Sequence, residues 1–165
     1  IGYNPVPEMT FSLAAGLNWK GIDFSILLQG AARSSIYLQQ DIAWDNFWGN
    51  YYEEHIGRWT PETAATATYP RFTKAATAAH PNYYKSDYWL KDSKYLRLKN
   101  IQLGYTIPRK LLKKFGVRSL RVYANAYNLF TWDNVKKVDP ESSNNSNGQF
   151  YPQQKVINFG INLNF

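Results

Sequence analysis

The sequence predicts an all-β fold, an antiparallel transmembrane β-barrel segment of about five strands, from three observations. Apolar and polar residues alternate strictly over several stretches, a period of two that belongs to strands and not to helices. Aromatic residues are in excess, with six Trp, thirteen Tyr and nine Phe making up 17% of the chain. Such an excess of Trp and Tyr is expected where side chains sit between an apolar and a wet layer. Short links between strands also alternate with long ones, the layout of a membrane barrel with tight turns on one rim and large loops on the other.

Phe11, Leu13, Ala15, Leu17 and Trp19 alternate with Ser12, Ala14, Gly16 and Asn18, and after the tight turn Lys20-Gly21 the pattern resumes at Ile22, Phe24, Ile26 and Leu28. Residues 9–32 therefore read as one hairpin. The stretch that follows, 33 to about 88, is far too long for a structureless loop in a compact domain and is expected to be mostly ordered. Within it Asp41 and Asp45, four residues apart, suggest a short helix.

A third strand ends at Ile101, Leu103, Tyr105 and Ile107, but its upstream half, Leu96 and Leu98 against Arg97 and Lys99, is out of phase. That one-residue shift predicts a β-bulge near Lys99-Asn100. PRKLLKKFG follows, in which Pro108 can start and Gly116 can stop about two helical turns. The fourth strand runs from Leu120 through Val122, Ala124 and Ala126 toward Phe130 and Trp132, read as one unbroken alternation. After a second long link the fifth strand is KVINFGINLNF, with Ile157, Phe159, Ile161, Leu163 and Phe165 on one face. Phe165 falls on the short-turn rim, where an aromatic ring suits the interfacial girdle.

Several function classes are disfavoured. Cysteine is absent, which removes disulfide scaffolds, thiolate zinc sites and cysteine nucleophiles. No apolar run reaches the length of a helical membrane span, a test that barrel strands escape. GxSxG, HExxH, Walker and paired-carboxylate patterns are missing, so neither an enzyme nor a cofactor is expected. Glu53-Glu54-His55 has no second His at metal spacing, and VDPESSNNSNG, 138–148, lacks the carboxylate spacing of a calcium loop. Between Lys85 and Arg121 eleven Lys or Arg face two Asp, more net charge than the +7 of the whole chain. No nucleic-acid-binding motif accompanies it. Lys110, Lys113 and Lys114 on the short turn suit phospholipid phosphates, and Lys85, Lys91 and Lys94 at the opposite end suit lipopolysaccharide. Asp23 and Arg121 are candidate lumen-facing charges. Trp44, Phe47, Trp48, Tyr51, Tyr52 and Trp59 in the long loop are expected to pack within the loop or to contact a partner protein, ahead of direct contact with a ligand, since a loop of this length must bury something and aromatics anchor interfaces.

KYLRLKNIQLGYTIP (94–108), SLRVYANAYNLFT (119–131), VDPE (138–141) and the last strand together resemble the carboxy-terminal region of SusC/RagA-type TonB-linked outer-membrane transporters. RWTPE (58–62) followed by YPR (69–71) resembles a loop stretch of the same family. The resemblance implies a 22-stranded barrel in the outer membrane of a Gram-negative bacterium, with residues 1–165 as its carboxy-terminal part and the amino-terminal plug domain and earlier strands outside this chain. The opening IGYNPVPEMT, with neither a starting Met nor a signal pattern, reads as that of an excised or processed piece. The resemblance also implies energy from a TonB complex engaged through the amino-terminal part, a SusD-type surface lipoprotein as lid, and a glycan or peptide as solute. Phe159, Ile161, Leu163 and Phe165 then look like the terminal-strand signal read by the barrel-assembly machinery. The rival reading is a soluble carbohydrate-binding β-sandwich, which would also show alternating strands and exposed aromatics.

Overall fold

Lys20 and Gly21 hold positive φ angles of 47° and 90°, the left-handed pair that closes a two-residue hairpin with the twist its strands need. The turn joins β1 (Met9–Trp19) to β2 (Ile22–Ala32), paired in register from Trp19↔Ile22 to Met9↔Ala32. The computed structural model describes residues 2–45, 47, 49–74, 80–135, 138–142 and 151–165. The remaining strands are β3 (Ser35–Tyr37), β4 (Leu90–Asp92), β5 (Tyr95–Thr106), β6 (Ser119–Asp133) and β7 (Val156–Asn164), with one short helix, α1 (Arg109–Leu112). β1, β2, β5, β6 and β7 form an antiparallel sheet in that order, and β3 pairs with β4 in a separate ribbon.

The chain divides into two units, a sheet unit of Pro7–Ala32, Lys94–Asp133 and Pro152–Phe165, and a loop unit of Ile1–Val6, Arg33–Ser93 and Asn134–Tyr151. In the sheet unit the register places all the alternating apolar residues on one face. Leu13, Leu28, Leu98 and Phe130 are neighbours across four strands, and Leu17, Phe24, Leu103, Ala124 and Phe159 across five. The opposite face carries Ser12, Asp23, Gln102, Asn125 and Asn158. Most of the apolar face is exposed: Leu13 is 61% accessible, Ile161 69% and Phe159 83%. Bare glycines on these faces are covered by rings, the Phe11 ring lying where a side chain of Gly30 would be and the Tyr123 ring likewise at Gly160.

The expected bulge lies at Lys99. Leu27 pairs with Asn100 while Leu28 pairs with Leu98, so Lys99 is the extra residue of β5 relative to β2. β6 carries an irregularity that the sequence reading did not mark. Leu98 pairs with Phe130 and Asn100 with Tyr127, which sets Asn128 and Leu129 against Lys99 alone. Asn128 adopts φ 50°, a left-handed conformation that Asn tolerates better than most residues, and its side-chain amide donates to Gln153 Oε1 (3.3 Å) and to the Gln154 carbonyl (3.1 Å). Relative to β2, β6 thus carries two extra residues. An even number leaves the apolar phase unchanged, which is why Phe130 and Trp132 still fall on the face of Leu120 to Ala126.

Between β5 and β6 the PRKLLKKFG link forms α1 and a 3-10 turn at Lys113–Phe115, ended by Gly116 at φ 67°. Pro108 precedes the first helical residue, and Gly116 takes the left-handed position that favours a residue without Cβ.

The loop unit has a conventional interior. Ile36, Leu38, Ala43, Trp44, Tyr69, Tyr83, Trp89 and Val135 are buried together, with Tyr37, Phe47, Phe72 and Val138 packed against them. The helix expected at Asp41 and Asp45 is reduced to a 3-10 turn at Gln40–Ile42. Two like charges four apart oppose a longer helix, and the Asp45 carboxylate is drawn into the interior instead.

Candidate functional site

Asp45 organises the loop interior. It is 1% exposed, and its Oδ1 accepts from the Tyr83 hydroxyl in a short hydrogen bond and from the Tyr69 hydroxyl at 3.4 Å, while Oδ2 accepts from the Thr73 N–H at 3.0 Å. The Asp45 N–H donates to Tyr69 Oη (3.0 Å), which itself donates to the Ala43 carbonyl (2.8 Å). A buried carboxylate held only by neutral donors is costly unless each lone pair is met, and here hydroxyls and a backbone amide meet them. Burial, reinforced by the Asp45 charge, pushes the phenols of Tyr69 and Tyr83 well above the ordinary tyrosine range.

His55, another buried polar side chain of the loop unit, accepts from the Tyr52 N–H at Nδ1 (3.0 Å). Its Nε2 therefore carries the proton and donates to the Ala43 carbonyl at 3.3 Å. Both ring nitrogens are engaged within the protein, and the ring lies 4.5 Å from that of Tyr69. Among the described residues no group of three His, Asp or Glu is arranged to hold a metal.

The five described aromatic candidates part into two sets. Trp44 is 4% exposed, with its ring 4.7 Å from Tyr83 and 5.7 Å, edge to face, from the partly buried Phe47. Tyr51, Tyr52 and Trp59 are outward: Tyr51 lies 5.6 Å from the Phe72 ring, and Tyr52 donates its hydroxyl to the Asp41 carbonyl in a short hydrogen bond. Trp48 lies outside the described residues. Sequence reasoning did not single out Asp45 as a hub, nor Tyr69 and Tyr83 as its partners; their only signal was aromatic type in an irregular chain.

Trp59 lines a recess of about 380 Å³ with Arg58, Thr60, Pro61, Arg71 and Phe72. The two sides run in parallel, Arg58 bridging to Tyr69 and the Trp59 N–H donating to the Tyr69 carbonyl at 2.9 Å. The Arg58 guanidinium sits 4.9 Å over the Phe72 ring. A second recess, about 310 Å³, is lined by Glu54, Tyr88, Trp89, Lys91, Asn134 and others of the loop unit.

On the polar face of the sheet unit, Arg121 Nε and Nη2 donate to the two Asp23 oxygens at 2.9 and 2.5 Å. The fork spans β5 at Gly104, where a Cβ would stand 2.5 Å from the Asp23 oxygens and 2.6 Å from Arg121. The two candidate lumen charges therefore share a face and pair with each other. On the same face the Asn158 side chain donates to Asn125 (3.0 Å). Phe159, Ile161 and Leu163 lie exposed on the apolar face, and Phe165 follows β7, also exposed.

No family model matches the chain. It is 29% identical over 179 aligned residues to the TonB-dependent receptor P26 of Formosa agariphila, covering 98% of this chain and 17% of the relative. It is 25% identical over 163 residues to the TonB-dependent receptor SusC of Bacteroides thetaiotaomicron, covering 98% and 15%. The chain thus spans about a sixth of the curated relatives it matches. Its fold is similar to part of the RagAB peptide importer in the open-open state, with a TM-score of 0.74 at 23% identity over 100% of this chain and 18% of that one. The closed-closed state gives 0.73. Along 98% of its length the chain is thus similar to TonB-dependent receptors, SusC among them, and its five strands in meander order, with an exposed apolar face, are similar in fold to part of the RagAB importer.

Proposed function

We propose that the sheet unit supplies five strands of a larger transmembrane β-barrel, about 22 strands by family resemblance, that imports a solute too large for porins with TonB-coupled energy. The observation that carries this reading is the exposed apolar face. In water such a face is a liability. In hydrocarbon each large side chain on it gains roughly 1.5–3 kcal/mol relative to water. The 11 residues of β1, tilted by about 40°, rise about 26 Å, the height of the ~25 Å apolar band of such barrels. Aromatics mark both ends of the band, Trp19 and Tyr105 at one and Phe11, Phe130 and Trp132 at the other.

β1 and β7 are the outer strands of the sheet, and open edges in lipid leave backbone groups unsatisfied at several kcal/mol each. The remaining strands and the plug domain then belong to the rest of the polypeptide, with this segment as its carboxy-terminal part, and TonB engages that remainder. A soluble sandwich would need a second sheet over the apolar face; among the described residues the only other pairing of strands is the three-residue β3–β4 ribbon.

The loop unit is read as extracellular. Its outward aromatics, Tyr51, Tyr52 and Trp59, and the arginines of the Trp59 recess are the groups best suited to meet a SusD-type lipoprotein lid or a glycan or peptide solute. Inward Trp44 and Phe47 hold the unit in shape. The RagAB similarity supports the lid and favours a peptide solute.

Heat-modifiable gel mobility and detergent dependence of the full receptor test the barrel. A Cys placed at Thr66 is expected to react with an impermeant label on intact cells while one at Lys110 stays protected. The reverse pattern would overturn the orientation.

A further inference from the structure

The short β5–β6 link exposes apolar and cationic side chains together. Leu111 is 65% and Phe115 77% accessible, four positions apart on one short helical segment, while Leu112 between them is buried. Around them stand Arg109, Lys110, Lys113, Lys114 and Arg118. The β1–β2 turn adds Lys20, whose ammonium lies 4.9 Å over the Trp19 ring.

None of these six cations has an ion-pair partner among the described residues. Among the described residues the one acidic side chain near this end of the sheet, Asp23, is already taken by Arg121. Lys94, just before β5, and Lys99 within it do have interactions within the chain. Both short links lie at the same end of the strands, where the exposed apolar face ends in Trp19 and Tyr105.

We propose that this rim is a binding site for anionic phospholipid in the periplasmic leaflet, with Leu111 and Phe115 seated among the acyl chains just below the headgroups and Lys110, Lys113 and Lys114 against the lipid phosphates. This rests on the barrel reading. Charge and hydrophobicity here lie at the end of the exposed apolar face. An apolar pair flanked by cations is the composition of segments that lie in a membrane interface. Each Lys or Arg near an anionic surface adds to the attraction, an effect that falls off within a Debye length of about 8 Å at physiological salt. Cations placed beside inserted side chains are inside that range.

The test uses the full-length receptor in detergent, mixed with phosphatidylglycerol, phosphatidylcholine or lipopolysaccharide and read by native mass spectrometry. The unsubstituted receptor is expected to retain phosphatidylglycerol over phosphatidylcholine. Replacing Lys110, Lys113 and Lys114 by Gln together is expected to lower phosphatidylglycerol retention by about a hundredfold at low salt. The pair Leu111→Ser and Phe115→Ser should weaken retention of both phospholipids. Heat-modifiable mobility is expected to persist in both variants, which separates loss of the site from loss of the barrel. Equal phosphatidylglycerol retention by the unsubstituted receptor and the Gln variant would overturn the proposal, and so would a loss confined to lipopolysaccharide, which would put the rim in the outer leaflet. If the unsubstituted receptor shows no heat-modifiable mobility, the barrel reading fails and this site with it.

Discussion

In the loop unit Trp44 is 4% exposed, and a carboxylate is drawn inside to hold tyrosines in place; in the sheet unit Phe159 is 83% exposed, and an Asp–Arg pair sits on the polar face. The same aromatic-rich composition is folded under opposite rules. One unit removes its rings from water by packing them on each other, and the other leaves them exposed, on the barrel reading to a solvent that is itself apolar. Exposure therefore has no fixed sign as a measure of stability. It has meaning only once the solvent facing each surface is known.

The largest effect that could break this contrast is Trp44→Ala. Removing a buried indole is expected to cost the loop unit about 3–5 kcal/mol and its resistance to limited proteolysis, with heat-modifiable mobility of the receptor unchanged. Simultaneous loss of both would mean that the two units do not fold independently. Phe159→Arg probes the other surface. At mid-membrane it is expected to cost roughly 2–4 kcal/mol in urea titrations of vesicle-folded receptor, against much less for Asn158→Arg on the opposite face. Equal tolerance would remove the assignment of faces.

Alkaline pH sharpens the comparison from the loop side. The phenols of Tyr69 and Tyr83 are raised in the folded state, so the unfolded chain loses those protons first, near pH 10. Stability of the loop unit is then complete below about pH 10 and declines as pH rises beyond it, by at most about 1.4 kcal/mol per pH unit for each tyrosine. Protease resistance followed from pH 8 to 12 checks this, and a flat profile would contradict it. The smallest effect is expected from Gly104→Ala, whose methyl group would push Asp23 and Arg121 apart. A small loss is anticipated for a pair on a partly wet face, read in the same urea titration.

Legibility in the sequence followed periodicity. The hairpin, the bulge at Lys99 and the helical link at PRKLLKKFG each leave a local mark: an unbroken alternation, a phase reversal, a Pro and a Gly at fixed spacing. The irregularity at Asn128 leaves none, because β6 gains a second residue and the alternation returns to phase. The loop interior was equally opaque. Trp44 and Trp59 are the same residue type in a chain without regular repeat, and nothing local marks one as buried and the other as outward. Asp45 was read by its charge and spacing to Asp41, but its place is set by Tyr69, Tyr83 and Thr73, 24 to 38 residues further along the chain.

The paired irregularities at Lys99 and Asn128 also constrain how this sheet can change over time. Each side chain's face is a matter of odd or even count, so a lone one-residue insertion or deletion in a strand turns everything beyond it to the wrong solvent. Loss of one residue at Asn128 would send Phe130 and Trp132 toward the polar side, whereas a second loss in the same strand would bring them back. Lengths in this part of the receptor should therefore drift in steps of two, or in one step with a compensating bulge beside it. Between related receptors, the count of residues along a strand is then expected to be kept more strictly in its parity than in its value.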